Sequence, residues 1–179
     1  YMQQETSSAS SNRVLVVKYP AFTDDMSVKM ESFKKRLGHI PYVFRVSISG
    51  AVPGVEVANY FTNRPYGSDP SEVKLIQMFA VDYDYLALYS PEMLCGRGFS
   101  EAYGNERNKV VLNEEAVRLL GYPSPEEALG KQLEMEVLED PLEVVGVVKN
   151  YHQQSLAEPY KPILFFLKER VPFIATPYI

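Results

Sequence analysis

Apolar positions along this chain fall into short runs with two different periods. Residues 142–149 carry valine at 144, 145, 147 and 148, and residues 163–167 read Ile-Leu-Phe-Phe-Leu. Both runs are too short for helices, and their β-branched and aromatic content favours strands. Valine on both alternating faces of 142–149 predicts a strand covered on both sides. Residues 13–18, 73–81 and 109–112 have a similar character, while 42–49 and 131–137 alternate apolar with polar positions. The turn at Asp140-Pro141 should fold 131–137 back onto 142–149 as a hairpin. Residues 55–71 are turn-rich around 63–70 and read as a hairpin or loop. Pro159 and Pro162 exclude a helix across the connector between the last two strong strands.

Helical spacing places Met26, Met30, Phe33 and Leu37 on one side of a helix over about 26–37. Asp24 or Asp25 would cap its start, Lys34, Lys35 and Arg36 suit the dipole at its end, and Gly38 stands where a left-handed terminator belongs. The chain therefore opens strand, helix, strand. A second helix, 114–120, is capped by Asn113 and closed by Gly121. Ser124-Pro125-Glu126-Glu127 has the spacing of a capping box and starts a single turn, 126–129, stopped by Gly130.

Composition narrows the function classes. With 46% hydrophobic and 12% aromatic residues in 179, the chain can bury a real core. A net charge of −5 argues against a nucleic-acid surface. The single cysteine, Cys95, allows neither an intramolecular disulfide nor a cysteine-based metal site. No apolar run is long enough to cross a bilayer. Serine-rich residues 1–12 read as a polar tether.

Candidate chemistry is thin. Asp82 and Asp84 could form a paired-carboxylate site, but a strand-to-helix junction favours capping and packing roles. Gly96 and Gly98 lack the third glycine and the following helix of a phosphate cradle. Cys95 ends an apolar segment and reads as a buried, inert thiol. His152 sits in the connector with only Glu158 nearby and reads as a loop histidine. Tyr83, Tyr85, Tyr89 and Tyr151 could line a ligand pocket, or could equally build core and interface. No catalytic, cofactor-binding or metal-binding residue is assigned, and no cofactor is expected.

The order of motifs carries more than any one of them. Residues 13–18, Val81-Asp82-Tyr83-Asp84-Tyr85-Leu86 leading to Gly96-Arg97-Gly98-Phe99, Val111-Leu112-Asn113-Glu114-Glu115-Ala116 to Leu120-Gly121, residues 125–131, and residues 144–150 with Ser155, Leu156 and Pro162 span most of the chain. In this order the chain resembles the MacB-like periplasmic core domain of bacterial ABC-transporter permeases, in the FtsX/MacB superfamily. The resemblance implies an α+β, two-lobed fold. A βαβ-type porter-like lobe would be built from both chain ends, 13–80 plus 160–179, and truncated at its C-terminal side. A mixed α/β sabre-like lobe, 81–159, would be inserted between them, and 1–12 would tether the domain to a membrane helix.

The resemblance also implies the function: a non-catalytic module on the periplasmic face of the bacterial inner membrane that engages a partner or substrate and transmits ATP-driven conformational change. Implied partners are a cytoplasmic ABC ATPase acting through the membrane part, a second permease copy or repeat, and a periplasmic protein or lipoprotein, but no nucleic acid. The alternative is a free-standing periplasmic small-ligand binding module built on the tyrosines. A hydrolase centred on His152 or Cys95 is the third reading, and it lacks any site geometry.

Overall fold

Valine-, leucine- and phenylalanine-rich runs become the strands of one mixed sheet. The structure is a computed structural model that describes residues 14–18, 26–151, 159–168 and 178, with only the backbone for 26–27. Its strands are β1 (Tyr60–Pro65), β2 (Lys74–Val81), β3 (Met93–Gly96), β4 (Lys109–Asn113), β5 (Gln132–Met135), β6 (Leu142–Val148) and β7 (Ile163–Leu167). They hydrogen-bond in the order β3-β6-β4-β7-β2-β1-β5, and β5 also pairs with β6. That extra pairing joins β6, β4, β7, β2, β1 and β5 into a closed ring, with β3 sharing an edge of β6. The expected hairpin is present: Gln132 pairs with Glu143 and Leu133 with Leu142. The turn-rich 55–71 region resolves into β1, antiparallel to β2. The last strand, β7, enters between β2, to which it is parallel, and β4, to which it is antiparallel.

The ring explains where the core sits. Alternate residues of β2 (Ile76, Met78, Ala80), β7 (Leu164, Phe166), β4 (Val110, Leu112), β6 (Leu142, Val144) and β5 (Leu133, Met135) fall in one buried cluster. Side chains from five strands of a closed ring can meet in one cluster only on its inner face. Helices α3 (Glu114–Leu119) and α4 (Pro125–Ala128) pack on the same cluster through Ala116, Val117 and Ala128. The opposite face of β2, β7, β4 and β6 carries Phe79, Val81, Phe165, Val111 and Val148, covered by Tyr85 and Leu86 of α2 (Tyr85–Tyr89), by Phe99 and by Ala51 and Val57. Each fully buried side chain of this size contributes about 1.5–3 kcal/mol of apolar transfer, so this two-faced burial dominates the fold.

Local capping follows the sequence closely. Asn113 accepts from the Ala116 N–H and Ser124 from the Glu127 N–H at the starts of α3 and α4. Gly121 and Gly130 close those helices with φ of 82° and 72°. The first helix, α1 (Met26–Leu37), has the expected bounds and buries Met30. The candidate caps Asp24 and Asp25 lie outside the described residues.

Three expectations are corrected. Residues 14–17 form no ladder, and among the described residues the segment pairs with the rest through an antiparallel bridge from Lys18 to Tyr178. Residues 43–48 are extended but likewise unladdered; only Ser49 bridges, to Val81 on one side and Tyr178 on the other. Alternating apolar residues give a segment strand character, but a ladder also needs neighbours in register, and only single residues meet here among the described residues. Gly38 is not left-handed; the left-handed residue after α1 is Tyr42, at φ 73°.

The observed class is mixed α+β. β2 and β7, which sequence places in the porter-like part, share the sheet with β3 to β6 of the inserted part.

Candidate functional site

Asp82 sits just past β2, where the sheet meets the segment that contains α1. Its carboxylate is buried and takes four donors. Oδ1 accepts from Ser47 Oγ at 2.7 Å and from the Asp84 N–H at 3.1 Å; Oδ2 accepts from the Ile48 N–H at 2.7 Å and from Lys34 Nζ at 2.7 Å. Asp84 lies outside this pocket and binds Lys34 Nζ at 2.6 Å and Arg45 at 3.2 Å. The two carboxylates are therefore held by cations and backbone rather than sharing a proton, which is the arrangement of a latch and not of an acid/base pair. Neither side chain caps α2: the N-cap residue is Asp84, and it makes no side-chain cap bond. Burial pulls the Lys34 pKa down, but the hydrogen bonds to Asp82 and Asp84 outweigh it and hold the ammonium above the ordinary lysine value.

A second lock lies at the crossing of β3 and β6. Gly96 has φ 70°, and a Cβ there would fall inside the Val145 carbonyl oxygen; a Cβ on Gly146 would fall inside the Arg97 carbonyl oxygen. The Arg97 N–H donates to the Val145 carbonyl at 2.9 Å across this contact. The G-x-G sequence thus serves close backbone packing. Just beyond it, Arg97 reaches the buried carboxylate of Glu106 at 2.5 Å and lies 3.8 Å over the Tyr103 ring. Glu106 also accepts from the Ser100 N–H at 2.7 Å, so the loop from 97 to 109 is pinned at both ends.

Asn113 makes the third lock. Besides capping α3, its Oδ1 accepts from the Ile163 N–H at 2.8 Å, and its amide donates to the Lys161 carbonyl at 2.8 Å. Asn150 bonds the first turn of α3 twice: its N–H donates to the Glu114 carboxylate at 2.7 Å, and its Oδ1 accepts from the Glu115 N–H at 2.9 Å. Two asparagines and two glutamates so tie α3 to the exits of β6 and the entry of β7.

The tyrosines build core. Tyr85 is 2% exposed and packs against Tyr89 and Phe165, with ring centroids 4.8 Å and 6.0 Å away. Burial pushes the Tyr85 hydroxyl well above its usual pKa, the Tyr89 hydroxyl up to about 12, and raises that of Tyr151. Tyr83 and Tyr151 pack at the edge of the same cluster. Among the described residues, Glu31, Ser32, Lys34 and Lys35 line an open surface cleft that these tyrosines do not face. Cys95 is half-buried, and burial followed by the Glu126 charge raises its thiol pKa, making it a poorer nucleophile. His39 is on the surface, bonded to the Lys35 carbonyl; His152 lies outside the described residues. Among the described residues no three His, Cys, Asp or Glu side chains gather as metal ligands.

Sequence reading did not find these locks. The Asp82–Lys34 pair spans 48 positions and Asn113–Ile163 spans 50, so no local pattern announces either. Only the short spacing Asn113-Glu114-Glu115-Ala116 hints at one of its roles.

Comparisons with known proteins agree with this architecture. The family model described as the MacB-like periplasmic core domain matches residues 1–166. An uncharacterized ABC transporter permease, YvrN of Bacillus subtilis (strain 168), is 34% identical over 107 residues, covering 58% of this chain and 25% of that protein. The chain thus spans about a quarter of the curated relative it matches. The periplasmic region of MacB from Actinobacillus actinomycetemcomitans superposes with a TM-score of 0.58 at 15% identity, over 91% of this chain and 71% of that one. The extracellular domain of the noncanonic ABC-type transporter YknZ from Gram-positive bacteria gives 0.59 at 15% identity, over 91% and 79%. These structures share the fold, the family model covers nearly the whole chain, and the chain belongs to the MacB-like periplasmic core domain family.

Proposed function

We propose that this chain is the extracytoplasmic domain of a bacterial ABC-transporter permease, facing the periplasmic side of the inner membrane and acting as a non-catalytic lever. It would carry motion driven by a cytoplasmic ABC ATPase to a periplasmic protein, lipoprotein or substrate, beside a second permease copy or repeat. Family membership supports the setting. The observation that carries the lever reading is the joining of remote segments: Lys18 and Ser49 both bridge Tyr178, Ser49 also bridges Val81, and Asp82 clamps α1 through Lys34. A body that transmits force must not dissipate it internally, and charge-assisted, fully satisfied locks resist such give.

The reading keeps the two-part division, with 13–80 and 160–179 forming a porter-like unit and 81–159 inserted as a sabre-like unit. In that division the Asp82 latch lies at the junction of the two units. The test is made in the full-length permease with its ATPase in proteoliposomes. Asp82→Asn, which keeps the shape and removes the charge, should leave ATP hydrolysis running while coupled export falls about tenfold. Export that tracks hydrolysis as in the wild type, with the variant folded, refutes the lever.

A further inference from the structure

The turn after α1 combines features that an isolated water-facing turn does not need. Ile40, Tyr42 and Phe44 are 49%, 91% and 94% exposed, and Val43 beside them is 36% exposed. Tyr42 is also held left-handed at φ 73°, a conformation that a bulky side chain adopts only under strain. The turn is nevertheless ordered, by the Ile40 N–H to the Leu37 carbonyl at 3.0 Å and the Val43 N–H to the Ile40 carbonyl at 3.1 Å. The aromatics are thus held outward beside a hydrogen-bonded turn.

Charge is segregated around the same turn. No aspartate or glutamate occurs between Glu31 and Glu56, although the chain as a whole carries −5. Within that stretch Lys34 and Arg45 face the Asp82–Asp84 latch, while Lys35, Arg36 and His39 are exposed beside the tip. Aromatic rings at the end of a turn, flanked by exposed cations, suit the headgroup layer of an anionic bilayer: rings enter the interface and cations meet lipid phosphates.

Topology points the same way. Residues 14–18 and the extended segment ending at Ser49 both bridge Tyr178 in antiparallel fashion. They therefore run parallel, so Val14 and Phe44 lie toward the same end of the two segments. If the chain is the extracytoplasmic domain of a permease and residues 1–12 tether it to a membrane helix, as the resemblance implies, that end faces the membrane; this point alone rests on the proposed function, and the chemistry of the tip does not.

We infer that the turn Ile40–Phe44, with Lys35 and Arg36, is an interfacial foot that seats the domain on anionic lipid headgroups. The chain contains no tryptophan, so Phe44→Trp is a single-site reporter. Mixed with phosphatidylglycerol-rich vesicles, the 179-residue chain should give a blue-shifted emission that lipids brominated on their acyl chains quench. Phosphatidylcholine vesicles should bind at least about tenfold more weakly, and Lys35→Gln/Arg36→Gln should lose about the same factor on the anionic vesicles. Co-sedimentation of the tryptophan-free chain against Tyr42→Ser/Phe44→Ser gives the same comparison without the reporter, and the serine variant should stay in the supernatant. Unchanged emission with both vesicle types overturns the inference, as does equal partition onto neutral lipid. A blue shift that grows with protein concentration in the absence of vesicles also overturns it and assigns the tip to another copy of the chain. These outcomes leave export coupling unaddressed, so a failed foot and a failed lever are told apart.

Discussion

Two regions of the molecule are held together in opposite ways. The ring of strands is continuous: β4 alone pairs along three or more positions with both β6 and β7, and both faces of its central strands are buried. The N-terminal region, with 14–18, α1 and 42–49, has no ladder among the described residues. Among the described residues it is held by single bridges at Lys18 and Ser49, by the Asp82–Asp84 latch on Lys34 and Arg45, by the Glu31–Lys168 ion pair and by the buried side chains of Met30 and Ile48. The ring's stability is spread over many small contributions, whereas the attachment of α1 is concentrated in a few polar groups. Distributed burial resists the loss of any one contact, and a concentrated latch does not.

The largest effect should come from the one place where the ring itself has no slack. Gly146→Ala drives a methyl group into the Arg97 backbone, and neither β3 nor β6 can move without breaking the ladder. A loss of roughly 3 kcal/mol or more is expected, seen in urea unfolding as a lower midpoint of a single global transition. Asp82→Ala should cost about 2–3 kcal/mol but act differently. It removes one of the two carboxylates that hold Lys34 and leaves Ser47 Oγ and the Ile48 N–H without their acceptor, so amide exchange in α1 should accelerate while exchange in β4 and β7 stays slow. Equal acceleration in both regions would erase the contrast between them.

The smallest effect should appear with pH. Lys34 has a folded-state pKa above 10.5, so its contribution is whole below that unfolded value and is lost as pH climbs through the folded one. The raised hydroxyl pKa values of Tyr85 and Tyr89 have the same sign, and they weaken the whole molecule once the unfolded tyrosines ionise above 10.0. The difference between wild type and Lys34→Met isolates the latch. Exchange in α1 of the wild type should rise toward that of the variant above about pH 10.5, with no convergence at neutral pH.

The parts of the fold legible in the sequence were those decided within a few residues. Asn113 and Ser124 cap the helices that follow them, Gly121 and Gly130 close those helices, and the valines of 144–148 make a strand wherever they are placed. β3 was missed because four residues with a glycine have little propensity of their own; the strand exists because Gly96 fits against Gly146. Residues 14–18 and 42–49 erred the other way, having strand pattern without a matched neighbour. Ring closure was not legible, because β1 meets β5 through Asn63 and Met135, far apart in the chain. The tyrosines suggested a pocket only while their packing against Phe165 was out of view. The latch was half legible: the acidic pair stood out, but its cation did not.

The central position of β7 has a consequence for how such a chain reaches its destination. Because this strand slots between two that precede it, the ring of strands cannot close until about residue 167 has left the ribosome. Until it arrives, β2 and β4 lack their shared neighbour, and the sheet sets only once β7 is in place.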